Sequence, residues 1–460
     1  MYRQALNYLK NQWIDNNDRK PLVIRGARQV GKTWLVREFA KTVGKTLIEI
    51  NFEATPNVAT LFESNDPQEI LLQLGVRNRR PIDIATSLLF LDEIQTTPEI
   101  LAKLRWFAEG LPELPVIAAG SLLEFVLSQH TFSMPVGRID YLHLEPLSFE
   151  EFLVAQDEQT TCDYLQQINF SQKIPLALHE QLLSQFKKYL FVGGLPSAVK
   201  NWVEKKDWST VSRVHQNLLA TYRDDFSKYH GRLEVARLDE TLLAVPKTLG
   251  KKFTYSHVNS LAQSSTIKNA LELLHKARIC HPVRCVHANG VPIAAEVKEK
   301  YFKEIFLDVG LCNALLGVDL DEMLNTDELT LIHSGGLAEQ VAGQLLRTIF
   351  PFYIQPELFY WTREEKNANA EIDYIIQYRN KIIPIEVKAG STGSLKSLHY
   401  FMSLKKLPLA VRINSDAPSE TMISVKHEDE NIQYKLLSLP LYLIGQIPRL
   451  LQACDTKFNS

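Results

Sequence analysis

The chain has 460 residues and a formal net charge of −2, from 51 Lys plus Arg against 53 Asp plus Glu. At about 100 to 200 residues per domain, this length predicts several domains, each able to bury its own core. Hydrophobic residues at 45% and charged residues at 23% exclude collagen-like, low-complexity and extensively disordered chains. The charge balance also removes the simplest argument for nucleic acid, an overall basic protein, and leaves only a local basic face.

MYRQALNYLKNQWIDNND, at the start, lacks the continuous apolar core of a signal peptide. No run of about 18 apolar residues predicts a membrane span. Five cysteines without a CxxC pair fit neither a disulfide framework nor a local zinc motif, so a reducing cytoplasm is the expected compartment.

In chain order, PLVIRG, TLIEINF, SLLFLDE and LPVIAAGS read as buried strands. Between them TWLVREFAKTV, DPQEILLQLG and PEILAKLRWFAEGL carry apolar residues at helical spacing. This alternation predicts a parallel sheet covered by helices over residues 1–147, closed by a fifth strand at RIDYLHLEP. Residues 148–234 read as a helical lid, broken at FVGGLPSA by two glycines and a proline. Residues 235–317 are mixed and fit a winged helix, with STIKNALELLHKA as the second helix of a helix-turn-helix.

VDLDEMLNTDELTLIHSGG reads as a linker. The last segment, 330–460, predicts a helix (GLAEQVAGQLLRTIF), three strands (LFYWT, EIDYIIQY, KIIPIEVK), a helix (SLKSLHYFMSL) and a strand (PLAVRI). The fold class is therefore multidomain α/β: a phosphate-loop parallel sheet with a helical lid, a winged helix and a carboxyl-terminal α/β domain.

Gly26, Ala27, Arg28, Gln29, Val30, Gly31, Lys32 and Thr33 satisfy G-x-x-x-x-G-K-[ST] between a predicted strand and a predicted helix. Glycines let such a loop fold tightly, so that its N–H groups face phosphates at a helix N-terminus. Lys32 would reach the β- and γ-phosphates of ATP and Thr33 would offer its hydroxyl to Mg2+. SLLFLDE then delivers Asp92 and Glu93 to the end of a buried strand, Asp92 to hold the metal and Glu93 to orient or deprotonate the attacking water.

Ser121, closing VIAAGS, is either a γ-phosphate contact or a helix N-cap. Arg138 is either a solvated surface residue or an arginine finger acting on a neighbouring subunit's nucleotide.

A second constellation lies near the carboxyl terminus. Glu386 and Lys388 in PIEVK share one strand face. Asp373 in the preceding strand and Glu339 on the earlier helix can join them. Three carboxylates gather hard divalent cations such as Mg2+, and a lysine beside them can position a water for phosphodiester cleavage. The alternative is a pair of amphipathic strands with one charged face. LFYWT is either a base-stacking platform or core. The basic pairs Lys205–Lys206, Lys251–Lys252 and Lys405–Lys406 supply a nucleic-acid path or simply solvated surface.

Taken together, RGARQVGKTWL, LLFLDEIQ, LEPLSFEEFL, FVGGLPSA, KYFKEIFLDVGL, WTREEKNANAEIDYII and IPIEVKAG resemble prokaryotic AAA+ (AAA_14-like) ATPases. These join a phosphate-loop ATPase and a winged-helix middle to a carboxyl-terminal domain similar to PD-(D/E)xK nucleases. The resemblance runs over nearly the whole chain. It implies ATP–Mg2+ at Lys32 and Thr33, hydrolysis completed by Asp92 and Glu93, and a nuclease-like site at Asp373, Glu386 and Lys388, with Glu339 as a looser match. Ile372, not proline, precedes Asp373. The resemblance further implies a homo-oligomer, a ring or a dimer, while the two metal-phosphate constellations on one chain point to DNA as a partner. Two functions follow: a nucleotide-controlled domain that binds and cleaves DNA, or a nucleotide-switched regulator that keeps an inactive nuclease-like scaffold.

Overall fold

Four short apolar runs and RIDYLH form a sheet of five parallel strands, β1 (Leu22–Arg25), β2 (Thr46–Asn51), β3 (Ser87–Asp92), β4 (Val116–Ala119) and β5 (Asp140–His143), in the order β2-β3-β4-β1-β5. The computed structural model describes residues 2–121, 123–125, 134–229, 235–318, 335–365, 368–388, 394–427 and 430–458. Every residue of β3 and β4 is buried, which suits parallel strands covered on both faces.

The helices Lys32–Thr42, Pro67–Arg77 and Ile100–Gly110 lie between the strands as expected. Asp66 starts the second by accepting a hydrogen bond from the Gln68 amide, with Pro67 in the first turn. Ile70, Leu74, Leu101, Leu104 and Phe107 pack with Leu89 and Leu91 in one apolar cluster. Two short later segments, Lys276–Arg278 and Phe350–Gln355, belong to this same unit with Met1–Glu145. The Phe352 carbonyl accepts a hydrogen bond from the His143 amide at 2.7 Å.

The second unit takes in Pro146–His275, Ile279–Ile349 and Pro356–Ser460. A capping box opens it: Ser148 Oγ accepts from the Glu151 amide while Glu151 reaches back to the Ser148 amide. The helix Leu176–Val192 ends at Gly193, whose φ of +73° suits glycine. The helix Pro196–Lys205 then starts on proline.

Eight strands form the second sheet: β6 (Cys280–Val286), β7 (Val297–Phe306), β8 (Leu358–Glu365), β9 (Ala368–Tyr378), β10 (Lys381–Val387), β11 (Leu409–Asn414), β12 (Ser419–His427) and β13 (Glu430–Pro440). Their order is β12-β13-β11-β10-β9-β8-β6-β7. The strands β6 and β7 pair with each other, and β6 also runs parallel to β8 with Val283 opposite Leu358. One sheet thus spans the segment read as a winged helix and the carboxyl-terminal α/β segment. Within the former, STIKNALELLHKA becomes the helix Ser264–Lys276, while TYSHVNSLAQ gives one turn, Tyr255–Val258.

The final hairpin of β12 and β13 goes beyond the last strand read from sequence, PLAVRI. LFYWT is core: Phe359 and Trp361 pack with Ile372, Ile375 and Phe401. Most of the expected linker, residues 319–334, lies outside the described residues, as do Leu122 and residues 126–129 of the helix expected after Ser121. No disulfide is present among the described residues and all five cysteines are buried. Among the described residues, no helix is long and apolar enough to cross a membrane.

Candidate functional site

The phosphate loop runs from β1 into the helix Lys32–Thr42, with Gly31 at φ +93° and Gln29 at φ +67°. These left-handed turns fold successive amides toward one concavity. Gly26 cannot be enlarged, since a Cβ there would meet the Leu144 carbonyl oxygen at 2.5 Å. Lys32 is buried and its Nζ donates to the Gly26 and Ala27 carbonyls at 3.0 and 2.8 Å. Burial pushes Lys32 down to about 8, opposed by Glu93, Glu124 and Asp92.

Thr33 Oγ1 donates to Asp92 Oδ2 at 3.1 Å, joining the start of the helix to the end of β3. Burial, then the neighbouring Glu93 charge, raises Asp92 to about 6, and the Thr33 hydrogen bond offsets part of this. A hydroxyl and a carboxylate meeting beside the loop are the donor set that a magnesium ion takes. Glu93, at φ +52°, sits in a sparsely populated conformation of the kind found at functional sites. Its Oε2 accepts from Gln95 Nε2 at 2.5 Å and from Ser121 Oγ at 3.4 Å. Ser121 in turn accepts from Arg28 Nε at 3.2 Å. Arg28, Lys32, Thr33, Asp92, Glu93 and Ser121 therefore form one connected site. Arg138 is elsewhere, half exposed and bonded to Glu109 at 2.8 Å.

Two arginines escaped the sequence reading. Arg3 is buried and donates to the Val30 carbonyl of the loop at 2.8 Å and to the Glu145 carbonyl at 2.6 Å. Arg278, also buried, donates to Glu124 at 3.0 Å, contacts His143 Nδ1 at 3.0 Å and lies 3.6 Å from Glu145. Its charge is felt at Lys32. Neither has a local motif, because each reaches the site only through the tertiary fold.

The second constellation also assembles, around a residue the sequence reading did not single out. Lys303 of β7 has its Nζ 3.0 Å from Glu339 Oε2, 2.5 Å from Glu371 Oε1 and 3.9 Å from Asp373 Oδ1. The surrounding carboxylates hold Lys303 charged, above the usual lysine range, against the opposing effect of burial. Burial, reinforced by Asp373, raises Glu339 and Glu386, and burial raises Asp373 itself. Asp373 Oδ2 accepts from the Val387 amide at 2.7 Å, and Lys388 pairs with Glu386 at 2.5 Å. The other Glu386 oxygen is buried without a hydrogen-bond partner. Of the basic pairs, Lys206 lies over Trp202 and Lys405 donates to Asn289, whereas Lys252 lies over Tyr301 and its backbone bridges to Lys303 at the centre of the cluster.

The loop, its buried lysine and the Thr33–Asp92 pair agree with a match found independently in sequence. Residues 18–153 match the AAA domain family. The AAA domain is followed by two matches to domains of unknown function, DUF8612 over residues 183–322 and DUF4143 over residues 334–442. No curated protein sequence matches the chain.

Among solved structures, the Aeropyrum pernix ORC2 protein in ADPNP-ADP complexes is similar at 13% identity and TM-score 0.35, over 70% of this chain and 94% of that one. The Thermotoga maritima RuvB Holliday junction branch migration motor gives 14% and 0.29, over 61% and 89%. C. elegans PCH-2 gives 14% and 0.25, over 42% and 57%.

Proposed function

We propose that the AAA domain binds ATP with Mg2+ and hydrolyses it, and that its nucleotide state controls the second unit. The observation carrying this reading is the Thr33 Oγ1–Asp92 Oδ2 hydrogen bond of 3.1 Å beside the phosphate loop. It brings the two metal-holding groups together at the end of β3. When bound, Mg2+ would supply positive charge against the phosphate oxygens. Lys32 would exchange the Gly26 and Ala27 carbonyls for phosphate, and Glu93, fixed by Gln95 and Ser121, would orient the attacking water. Purified protein should hydrolyse ATP only with Mg2+, and Lys32→Ala should abolish this. Absence of hydrolysis in the wild type, alone and with DNA, would sink the reading.

For the second unit, Lys303 favours the regulator with a scaffold domain over the DNA-cleaving enzyme. Its ammonium lies among Glu339, Glu371 and Asp373, the carboxylates that a nuclease would turn toward a divalent cation. The test is incubation of linear, nicked and branched DNA with Mg2+ or Mn2+. The scaffold reading expects no cleavage, whereas cleavage lost in Asp373→Ala would restore the nuclease. The proposal includes a cytoplasmic homo-oligomer. There Arg138, held to Glu109 by a surface ion pair of the weak, exchangeable kind, would turn to a neighbouring subunit's nucleotide.

A further inference from the structure

Consecutive residues of a strand point to opposite faces. In β7, Lys303 takes the face of the carboxylate cluster and Glu304, 1% exposed, takes the other. On that face Glu304 Oε1 lies 2.9 Å from His275 Nε2, in the last turn of the helix Ser264–Lys276. Cys280 opens β6 two residues before Pro282, which pairs with Glu304, so Cys280 shares the face. One ligand-capable atom from each of His275, Cys280 and Glu304 lies within 4.8 Å of the other two. The second Glu304 oxygen, Oε2, is buried with no hydrogen-bond partner.

We propose that His275, Cys280 and Glu304 bind one divalent transition-metal ion of the zinc class. Imidazole nitrogen, thiolate sulfur and carboxylate oxygen are the donors such an ion takes. A soft thiolate beside an imidazole selects against magnesium and calcium. The ion would meet the unpartnered carboxylate oxygen, and the Cys280 proton would leave to solvent as the metal–sulfur bond forms.

Three protein donors leave a fourth position for water or a small ligand. Of the three donors, half-buried His275 also lines a cavity of about 580 Å³ with Tyr255, Lys268, Arg284, Tyr301 and Phe302. The site is silent in sequence because it lacks paired CxxC spacing. Its members come together only when β6, β7 and the preceding helix pack.

The full chain, stripped with a chelator, is titrated with Co2+ and then with Zn2+. One equivalent of Co2+ should bind with thiolate-to-cobalt absorption and tetrahedral visible bands, and Zn2+ should displace it. Cys280→Ser should lose the thiolate absorption. His275→Gln, at the least buried of the three positions, should weaken binding on the order of tenfold or more. Circular dichroism without metal checks the fold of each variant.

No stoichiometric uptake by the wild type overturns the proposal, as does an unchanged cobalt spectrum in Cys280→Ser. Should Cys280→Ser fail to fold, His275→Gln decides: unchanged affinity overturns the site.

Discussion

Lys303 Nζ lies 3.0 Å from Glu339 Oε2, so a side chain from β7 supplies positive charge to a carboxylate on a helix more than thirty residues later. Removing that ammonium would leave Glu339, Glu371 and Asp373 facing one another. Lys303→Met should therefore destabilise the protein by about 3 to 5 kcal/mol, as losing one partner of a buried ion pair does. The loss should deepen as pH rises, because ionised carboxylates then lack a counter-charge. Urea unfolding at pH 6 and pH 8 measures this. Mn2+ should raise the midpoint of the variant more than that of the wild type.

At the phosphate loop, Lys32 and Glu93 separate binding from chemistry. Lys32→Ala should lose both nucleotide affinity and hydrolysis. Glu93→Gln keeps the size and the contacts to Gln95 and Ser121 but no longer accepts a proton. It should bind a fluorescent ATP analogue normally while hydrolysis falls about 10²- to 10⁴-fold. Equal loss of binding in both variants would remove Glu93 from the water-orienting role.

The sequence motifs FVGGLPSA and FLDVGL meet through Asp308. Its carboxylate accepts from the Gly194 amide at 2.6 Å, from the Gly310 and Leu311 amides at 3.0 and 3.2 Å, and from Gln344 Nε2 at 3.1 Å. Asp308→Ala would strand four buried donors and should cost about 3 kcal/mol or more. Asp308→Asn, which keeps acceptor capacity, should cost less, as read by thermal unfolding.

His215 gives the fold an acid-sensitive point. Its Nε2 donates to the Val192 carbonyl at 3.0 Å, and burial lowers the ring from 6.5 to about 4. The folded ring stays neutral while the unfolded ring protonates below about 6.5. Stability from this residue is therefore complete above that pH, falls between about 6.5 and 4, and levels off below. The loss is at most about 3 kcal/mol. Denaturation midpoints across this range should show a difference between wild type and His215→Gln that grows toward high pH.

What could be read from sequence was what neighbouring residues encode. Lys32, Thr33, Asp92 and Glu93 each sit where a short apolar strand ends or a helix begins, so one-dimensional spacing placed them. Glu386 and Lys388 followed from strand alternation, and Asp373 from its place in the preceding strand. Lys303 did not, because its approach to Glu339 and Asp373 depends on β6 joining β8, a pairing with no signature in either strand. Arg278 sits more than two hundred residues from the phosphate loop in sequence and reaches its unit by a three-residue excursion. The hairpin of β12 and β13 shows the opposite case: Ile432, Tyr434 and Leu436 alternate toward the core, a period-2 pattern carried by the sequence itself.

The parallel ladder between β6 and β8 has a further consequence. Cys285 pairs with Tyr360 across a family boundary, since one match ends at residue 322 and the next begins at residue 334. The family matches and the sheet thus divide the chain at different places. Severing the chain between those two matches would not release two independent pieces. It would open a raw sheet edge on each fragment, and the fragments should recover structure only when expressed together.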